Sequence, residues 1–348
     1  PPPPPGPPAA LPGTVDVAII GGGYAGCATA WALAARGVPA LVLEREADLG
    51  RYASGRGAGL GRQLCEDDDT SRLAIRGAAC LRDRFAAVWA PTGGVLCFDD
   101  PAHAATYIER AERLGVAHTV IERADVLARW PQLTELPIGQ ALDVPGDGVI
   151  DATGLLHALA ANLDIACDAA VTDIEAGRVE TARGTIAARV IVDATGAWAG
   201  ALTGDPPLDA FKRHLFVVEG TPAGGTPATA PYVWYLGRDE VYLRRDHSGI
   251  LVSPCDADVT AAADQQPASD ADDRLRSRLV TASADLARAP IVRRWACQRA
   301  FAADRRMRLG RDPERPWLVW AAALGGHGAT ASPAVGEVVA DAVIAALG

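Results

Sequence analysis

Three glycines spaced as Gly21-x-Gly23-x-x-Gly26, with a carboxylate at Glu44, form a set that could hold a dinucleotide. At such a spacing Gly21 permits a tight turn, Gly23 lets a pyrophosphate approach the backbone, and Gly26 lets a helix pack closely on a sheet. The phosphates would rest at the positive end of that helix. Glu44, 23 residues after Gly21, would accept hydrogen bonds from ribose hydroxyls, with Arg45 beside it in the cofactor-binding set. A second candidate lies late in the chain. RRWACQRAFAAD (293–304) places Cys297 two residues before Arg299 in a run that reads as a strand. A guanidinium offers two parallel N–H donors, which suits a carboxylate in orientation as well as charge.

The elements around the glycines agree with the first assignment. VDVAII (15–20) is an apolar run of strand length, ATAWALAARG an alanine-rich helix, and VPALVLERE (38–46) a second strand closing on Glu44. Strand, glycine turn, helix and strand make a βαβ unit with a parallel sheet. Three further segments favour FAD over a nicotinamide cofactor. SGRGAG (54–59) adds backbone amides with Ser54 and Arg56 just past the first unit. VIVDATGAWAG (190–200) is a second strand and glycine turn carrying Thr195 and Gly196, and Val171 upstream joins the same set. GGHGATASPAVG (325–336) brings Gly325, Gly326, His327, Gly328 and Thr330 before a final helix. That helix is expected to start near Pro333 with Ser332 as its N-cap, and its positive end could face the flavin N1–C2=O edge.

YVWYL, EVYLRR and GILVSP read as three strands at hairpin spacing. The expected fold is therefore α/β, or α+β overall: a Rossmann-like FAD-binding domain with an inserted antiparallel-sheet substrate domain. Residues 14–90, 146–204 and 293–348 are assigned to the first domain, 91–145 and 205–292 to the second, and 1–13 to a proline-rich disordered lead-in. A net charge of −10 implies no basic face, which argues against nucleic acid as a partner. No apolar run reaches the ~18–20 residues of a membrane span. Seven scattered cysteines without a CxxC pair, and six histidines without paired spacing, predict reduced thiols, a cytoplasmic location and no metal.

DVAIIGGGYAGCATAWALAARG, ASGRGAG, VIVDATGAW and LGGHG-x-x-x-SPAVGE, in this order, resemble the D-amino-acid oxidase (DAO) superfamily of FAD-dependent amine oxidoreductases. The resemblance covers about residues 14–348, and the texture is nearest to D-arginine-dehydrogenase-like members. It implies a substrate sheet roofing the flavin and hydride transfer from an amine-bearing carbon to flavin N5. The imine would then hydrolyse to a keto acid and ammonia. It further implies that Arg299 pairs with the substrate carboxylate, although Ala300 stands where the family strand has proline. Tyr242 would help hold the carboxylate, and His327 would face the isoalloxazine or the substrate. Trp234, Tyr235 and Leu60 would wall the pocket. A histidine stands at the Leu60 position in D-arginine dehydrogenase, which argues against the same substrate.

At the position of Cys297 the family divides between glycine and, in sarcosine oxidase, a cysteine bonded to the flavin 8α-methyl with an aspartate seven residues on, as Asp304 is here. The oxidases place an O₂-activating lysine where this chain has Leu251, and its lone lysine, Lys212, lies too far upstream. A dehydrogenase is thus favoured, with the acceptor open between O₂, a quinone and an electron carrier. Two alternatives stand beside oxidation of an amine or amino acid. One is oxidation of a ring imine or secondary amine in specialised metabolism. The other is a flavin-binding subunit without its own chemistry.

Overall fold

The computed structural model describes residues 10–205, 208–220 and 230–348, so most of the proline-rich lead-in, residues 1–9, lies outside the described residues. Continuous apolar runs build a parallel layer. Its order is β9 (Asp164–Ala166), β2 (Leu41–Leu43), β1 (Thr14–Ile20), β12 (Gly184–Asp193) and β20 (Leu318–Ala322). β10 (Val171–Glu175) and β11 (Arg178–Thr181) continue antiparallel from the first half of β12, and β19 (Arg308–Arg311) pairs antiparallel with β20. Val17, Ala18 and Ile19 of β1 are fully buried because both faces of the layer are covered: α1 (Tyr24–Ala34) and α8 (Gly328–Leu347) pack on the side of Val17 and Ile19, and residues of β10, β11 and the 199–208 segment pack on the side of Ala18. α1 and α8 pack against one another and share a core with β1, β12 and β20. α2 (Asp68–Arg84) lies against α8, and α5 (Ala152–Ala160) against α1.

The second sheet has nine strands. Eight run in the order β17 (Asp258–Val259), β13 (Asp209–Val218), β16 (Gly249–Ser253), β15 (Val241–Asp246), β14 (Tyr232–Tyr235), β5 (Gly94–Phe98), β7 (Gln140–Val144) and β6 (Thr119–Ile121). β18 (Ile291–Phe301) pairs with the other edge of β13. A small third sheet joins β3 (Leu60–Gly61), β8 (Gly148–Ile150) and β4 (Trp89–Ala90). One face of the nine-stranded sheet is closed by α4 (Arg123–Arg129), α6 (Ala271–Val280) and α7 (Ala284–Arg288), with Val126, Leu275, Leu279 and Leu286 packed on Phe216, Val233, Tyr235 and Val252. α3 (Pro101–Leu114) covers β5 and β7.

Two expectations shift. Residues 293–301, grouped with the FAD-binding segments on sequence, form the body of β18 and pair with β13 from Asp209↔Phe301 to Val217↔Arg293. Their long antiparallel pairing puts them in the second sheet. The final helix opens at Gly328 instead of near Pro333, because Gly325 and Gly326, at φ 59° and 90°, turn the chain early. Ala331 N then bonds His327 O at 2.9 Å as the first helical bond. Pro333 sits in the second turn, and Ser332 Oγ is a buried hydroxyl without a partner, not a cap. α8 is also the one described helix long and apolar enough to cross a membrane, although its packing on α1 and α2 buries much of it.

Candidate active site

One continuous cavity of about 710 Å³ runs from the β1 glycine turn to the inner face of the nine-stranded sheet. That is a typical size for a cofactor or ligand site. At its first end Gly21 adopts φ 109°, and its N–H donates to Leu43 O at 2.9 Å. A Cβ on Gly26 would stand 1.9 Å from the Gly21 carbonyl oxygen, so the helix meets the turn only because Gly26 has no side chain. A Cβ on Gly23 would meet only Ser54 Oγ, at 3.0 Å, so the cavity reaches the backbone there. Ser54 Oγ accepts from Tyr24 N at 2.9 Å, in the first turn of α1. Glu44 is 9% exposed; its carboxylate accepts from Gly22 N at 2.7 Å and Glu46 N at 2.9 Å, and it borders the cavity. The Arg45 guanidinium lies 3.8 Å from the Trp198 ring centre, and Trp198 packs edge-on against Tyr52. Val171, Thr195 and Gly196 complete this wall. Thr195 is fixed by Asp193 Oδ1, which accepts from its N–H at 3.0 Å and its hydroxyl at 2.6 Å.

The opposite end is built by strand alternation. Odd-numbered residues of β13 and β18 face the cavity side of the sheet, so Arg213 stands directly across from Cys297, and Arg299 is the next residue on the same face. Arg213, 4% exposed, donates to Cys255 O at 2.9 Å and Asp256 O at 3.2 Å. Cys255 has φ 53°, which turns its carbonyl towards that guanidinium. Arg299 has no acidic partner among the described residues, and its buried Nε has no hydrogen-bond partner. Burial pushes its pKa down to about 10, and the neighbouring Arg213 pushes the same way. Two guanidinium groups sharing one cavity wall without a carboxylate between them call for an anionic ligand. Tyr242 of β15 lines this end beside them, its phenol pKa raised first by burial. Cys297 is buried with Leu215, Val217, Tyr242 and Leu251; burial raises its thiol pKa against the pull of Arg299 and Arg213.

A polar network closes the side wall where α8 begins. His327 Nε2 lies 2.9 Å from Glu66 Oε2, and Nδ1 lies 3.4 Å from Cys65 Sγ. Burial opposes the imidazolium, but Cys65 and Glu66 outweigh it and raise the pKa to about 9. The Glu66 side chain is more than half exposed, and Arg62 and His327 hold its carboxyl below the usual range. Arg62 Nη2 donates to Glu66 Oε1 at 2.7 Å, while its guanidinium stacks 4.0 Å over Trp234. Thr330 donates from Oγ1 to Leu60 O at 3.1 Å, tying the α8 start to β3.

The cavity thus unites Gly21, Gly23, Glu44, Arg45, Ser54, Val171, Thr195, Gly196, Gly325, Gly326, Gly328, Thr330, His327, Cys297, Arg299, Tyr242, Leu60 and Trp234. Three expected residues lie elsewhere. Gly26 sits behind the turn, against the Gly21 carbonyl, and shapes the cradle without lining it. Arg56 points away and donates from Nε to Ala296 O at 2.8 Å, fastening the 54–59 segment to β18. Tyr235 is on the opposite face of β14, where its hydroxyl donates to Asp99 at 2.9 Å. Sequence reading missed Arg213, Glu240, Arg62, Cys65, Glu66 and Trp198. For Arg213 a signal existed, since it shares strand parity with Leu215 and Val217, but its partner strand is some 80 residues away.

The glycine cradle, the carboxylate at Glu44 and the length of the cavity fit FAD: Gly23 and the α1 start would hold its pyrophosphate, Glu44 its ribose, and the 325–330 turn its ring end. Comparison with known proteins agrees. Glycine oxidase of Geobacillus kaustophilus is 27% identical over 354 residues, covering 94% of this chain and 92% of that protein. Mitochondrial sarcosine dehydrogenase of Mus musculus is 30% identical over 247 residues, which span 62% of this chain but only 26% of the relative's length. A solved Geobacillus kaustophilus glycine oxidase superposes with TM-score 0.80 at 26% identity, covering 96% of this chain and 95% of the other. The L-proline dehydrogenase structure from P. horikoshii shares the fold at TM-score 0.84 and 24% identity, over 95% and 93% of the two chains. The sequence signature of the DAO family matches residues 16–342, and the chain belongs to this family of FAD dependent oxidoreductases.

Proposed function

We propose that the protein oxidises the C–N bond of an amino acid or related amine that carries a carboxylate. One observation carries this reading: Arg213 and Arg299 stand together on one wall, without an acidic ion-pair partner among the described residues, in the same cavity as the glycine cradle. The relatives named for glycine and sarcosine support it. Bound FAD supplies the acceptor for a hydride from the substrate's amine-bearing carbon. Arg213 and Arg299 bind the carboxylate, and Tyr242 lines the wall beside them. Holding the carboxylate at two points fixes which C–H bond faces the cofactor side. Leu60 and the Trp234 indole, held by Glu240 at 2.7 Å and covered by Arg62, keep the pocket apolar and small. The product imine hydrolyses to a keto acid and ammonia.

A dehydrogenase is favoured over an oxidase. Lys212 bonds Asp264 and Gln266 O on the far face of β13, away from the cavity, and Leu251 is packed among apolar residues. A quinone or electron carrier is then the acceptor. The apolar packing of Cys297 and its raised thiol pKa favour FAD held without a covalent bond. Seven free cysteines fit a reducing, cytoplasmic setting. The test is anaerobic bleaching of the FAD-loaded protein against a panel of amino acids, N-methyl amino acids, cyclic imines and matched hydroxy acids. Bleaching by carboxylated amines alone is expected. Bleaching by cyclic imines without a carboxylate, or by no amine at all, would overturn the proposal.

A further inference from the structure

The charges that face the arginine pair are unequal, and one acidic residue has no assigned part. Glu240 sits in the turn before β15, two residues from Tyr242 and therefore on the same side of the strand. Its carboxylate borders the cavity, accepts from Trp234 Nε1 at 2.7 Å and takes a hydrogen bond from the Cys255 thiol. Both donors are neutral, and no cation lies within ion-pair distance of Glu240 among the described residues. It acts on Arg213 through space. The other acid near this end, Glu66, is already engaged by Arg62 and His327. Asp67 accepts from Thr70 at the start of α2. Arg305, exposed and stacked on Phe211 and Phe301, is screened by solvent.

Asp256, a largely buried acid near Arg213, lies outside the cavity lining and is taken up by His214, whose backbone N–H donates to it at 2.9 Å and whose ring also bonds it. Among the described residues, the charges left facing the anion subsite are thus two guanidinium groups and one carboxylate. We propose that Glu240 is a specificity-determining residue: it reduces the Arg213–Arg299 subsite to a single net positive charge, so that the site takes substrates with one anionic group and rejects doubly charged ones such as dicarboxylates and phosphate monoesters. This rests on the carboxylate reading of the arginine pair given above. Two guanidiniums alone would favour a dianion, because in a partly desolvated cavity each additional ligand charge adds an unscreened attraction. A fixed carboxylate nearby repels a dianion twice as strongly as a monoanion, and the single net positive charge that remains is too little to offset the larger cost of desolvating a second ligand charge. Glycerol phosphate dehydrogenases occur among the relatives, so the distinction separates substrate classes within one fold.

Glu240→Gln is a clean perturbation, because glutamine keeps an oxygen to accept from Trp234 Nε1 and removes only the charge. The measurement is calorimetric binding of acetate and of malonate to the FAD-loaded protein at pH 8, with no turnover involved. The wild type should bind acetate at least as tightly as malonate. Glu240→Gln should tighten acetate by roughly tenfold and malonate by roughly a hundredfold. Glu240→Asp should keep the wild-type ratio. A malonate-to-acetate ratio that is the same in wild type and Glu240→Gln overturns the inference, as does a wild type that prefers malonate tenfold or more; the latter stands even if the variant fails to fold. Arg299→Ala separates the two levels. If it leaves both affinities unchanged, the arginine pair is not the anion subsite; if it weakens both while Glu240→Gln leaves the ratio fixed, only the role of Glu240 falls.

Discussion

Replacing Arg299 by methionine should injure recognition and stabilise the ligand-free protein at once. Arg299 is largely buried, with no acid to pair with among the described residues and Arg213 as its neighbour, and its pKa falls from 12.5 to about 10. A shift of that size corresponds to roughly 3 kcal/mol of destabilisation by the charged form. The sign follows from the direction. A base whose folded pKa is depressed costs stability wherever it is charged in both states, that is below about pH 10, and the cost fades as the pH rises from there towards 12.5. Arg299→Met removes a charge that is uncomfortable only while the anion is absent. Its melting temperature without ligand should therefore rise by a few degrees at pH 7–8. Its KM for a carboxylated amine should rise by roughly 10²–10³-fold, the effect of losing a charged hydrogen-bonding partner worth about 3–5 kcal/mol. Saturating acetate should raise the wild-type Tm through binding linkage and leave the variant unmoved. Differential scanning fluorimetry with and without acetate, and steady-state kinetics with an artificial acceptor, measure both arms. A variant that melts lower than wild type without ligand and still responds to acetate would refute the reasoning.

Gly26→Ala should strip the protein of FAD. Its Cβ would stand 1.9 Å from the Gly21 carbonyl oxygen, and relieving such overpacking costs about 1–3 kcal/mol. The flavin-to-protein ratio after gel filtration should drop below a tenth of wild type, and full retention would count against the cradle. Glu66→Gln should change the pH dependence of stability. The His327 pKa is raised from 6.5 to about 9, so its contribution is complete below pH 6.5 and lost as the pH climbs through 9. The wild-type Tm should fall across that window more steeply than that of Glu66→Gln, and identical slopes would remove Glu66 as the partner. Acid precipitation should release the yellow colour from wild type and Cys297→Ser alike; colour retained in the wild-type pellet alone would establish a covalent bond through Cys297.

The nucleotide half of the cavity was readable from the chain because its requirements are local. A tight turn, a close helix approach and a carboxylate at a strand end leave their mark within thirty residues. The substrate half is non-local. Arg213 becomes a site residue only through its pairing with Cys297 on a strand 84 positions away; its parity with Leu215 and Val217 groups it on one face of the strand but does not say that this face meets the cavity. Parity was the harder limit within β14. Trp234 and Tyr235 are both aromatic, so composition cannot say which faces the cavity, and only the pairing of Trp234 with Tyr242 decides. Arg56 shows the converse error: its place in a glycine-rich segment suggested a ligand, while its geometry makes it a fastener between that segment and β18. Pro333 misled because proline prefers the first turn of a helix, and here two left-handed glycines start the helix five residues sooner.

Gly325 and Gly326 touch more than a cofactor. A Cβ on Gly325 would press the Phe301 ring at 2.9 Å, and one on Gly326 would strike Arg299 Cδ at 2.6 Å. The turn that would meet the ring end of FAD therefore rests directly on the arginine that would meet the substrate. A shift of one is felt by the other within a single van der Waals contact. Thermodynamic reciprocity then requires that if loading FAD alters the affinity for a carboxylate, the carboxylate alters the grip on FAD by the same factor. The two halves of the cavity, drawn from separate sheets, would then respond as one unit across a contact that exists only because Gly325 and Gly326 have no side chains.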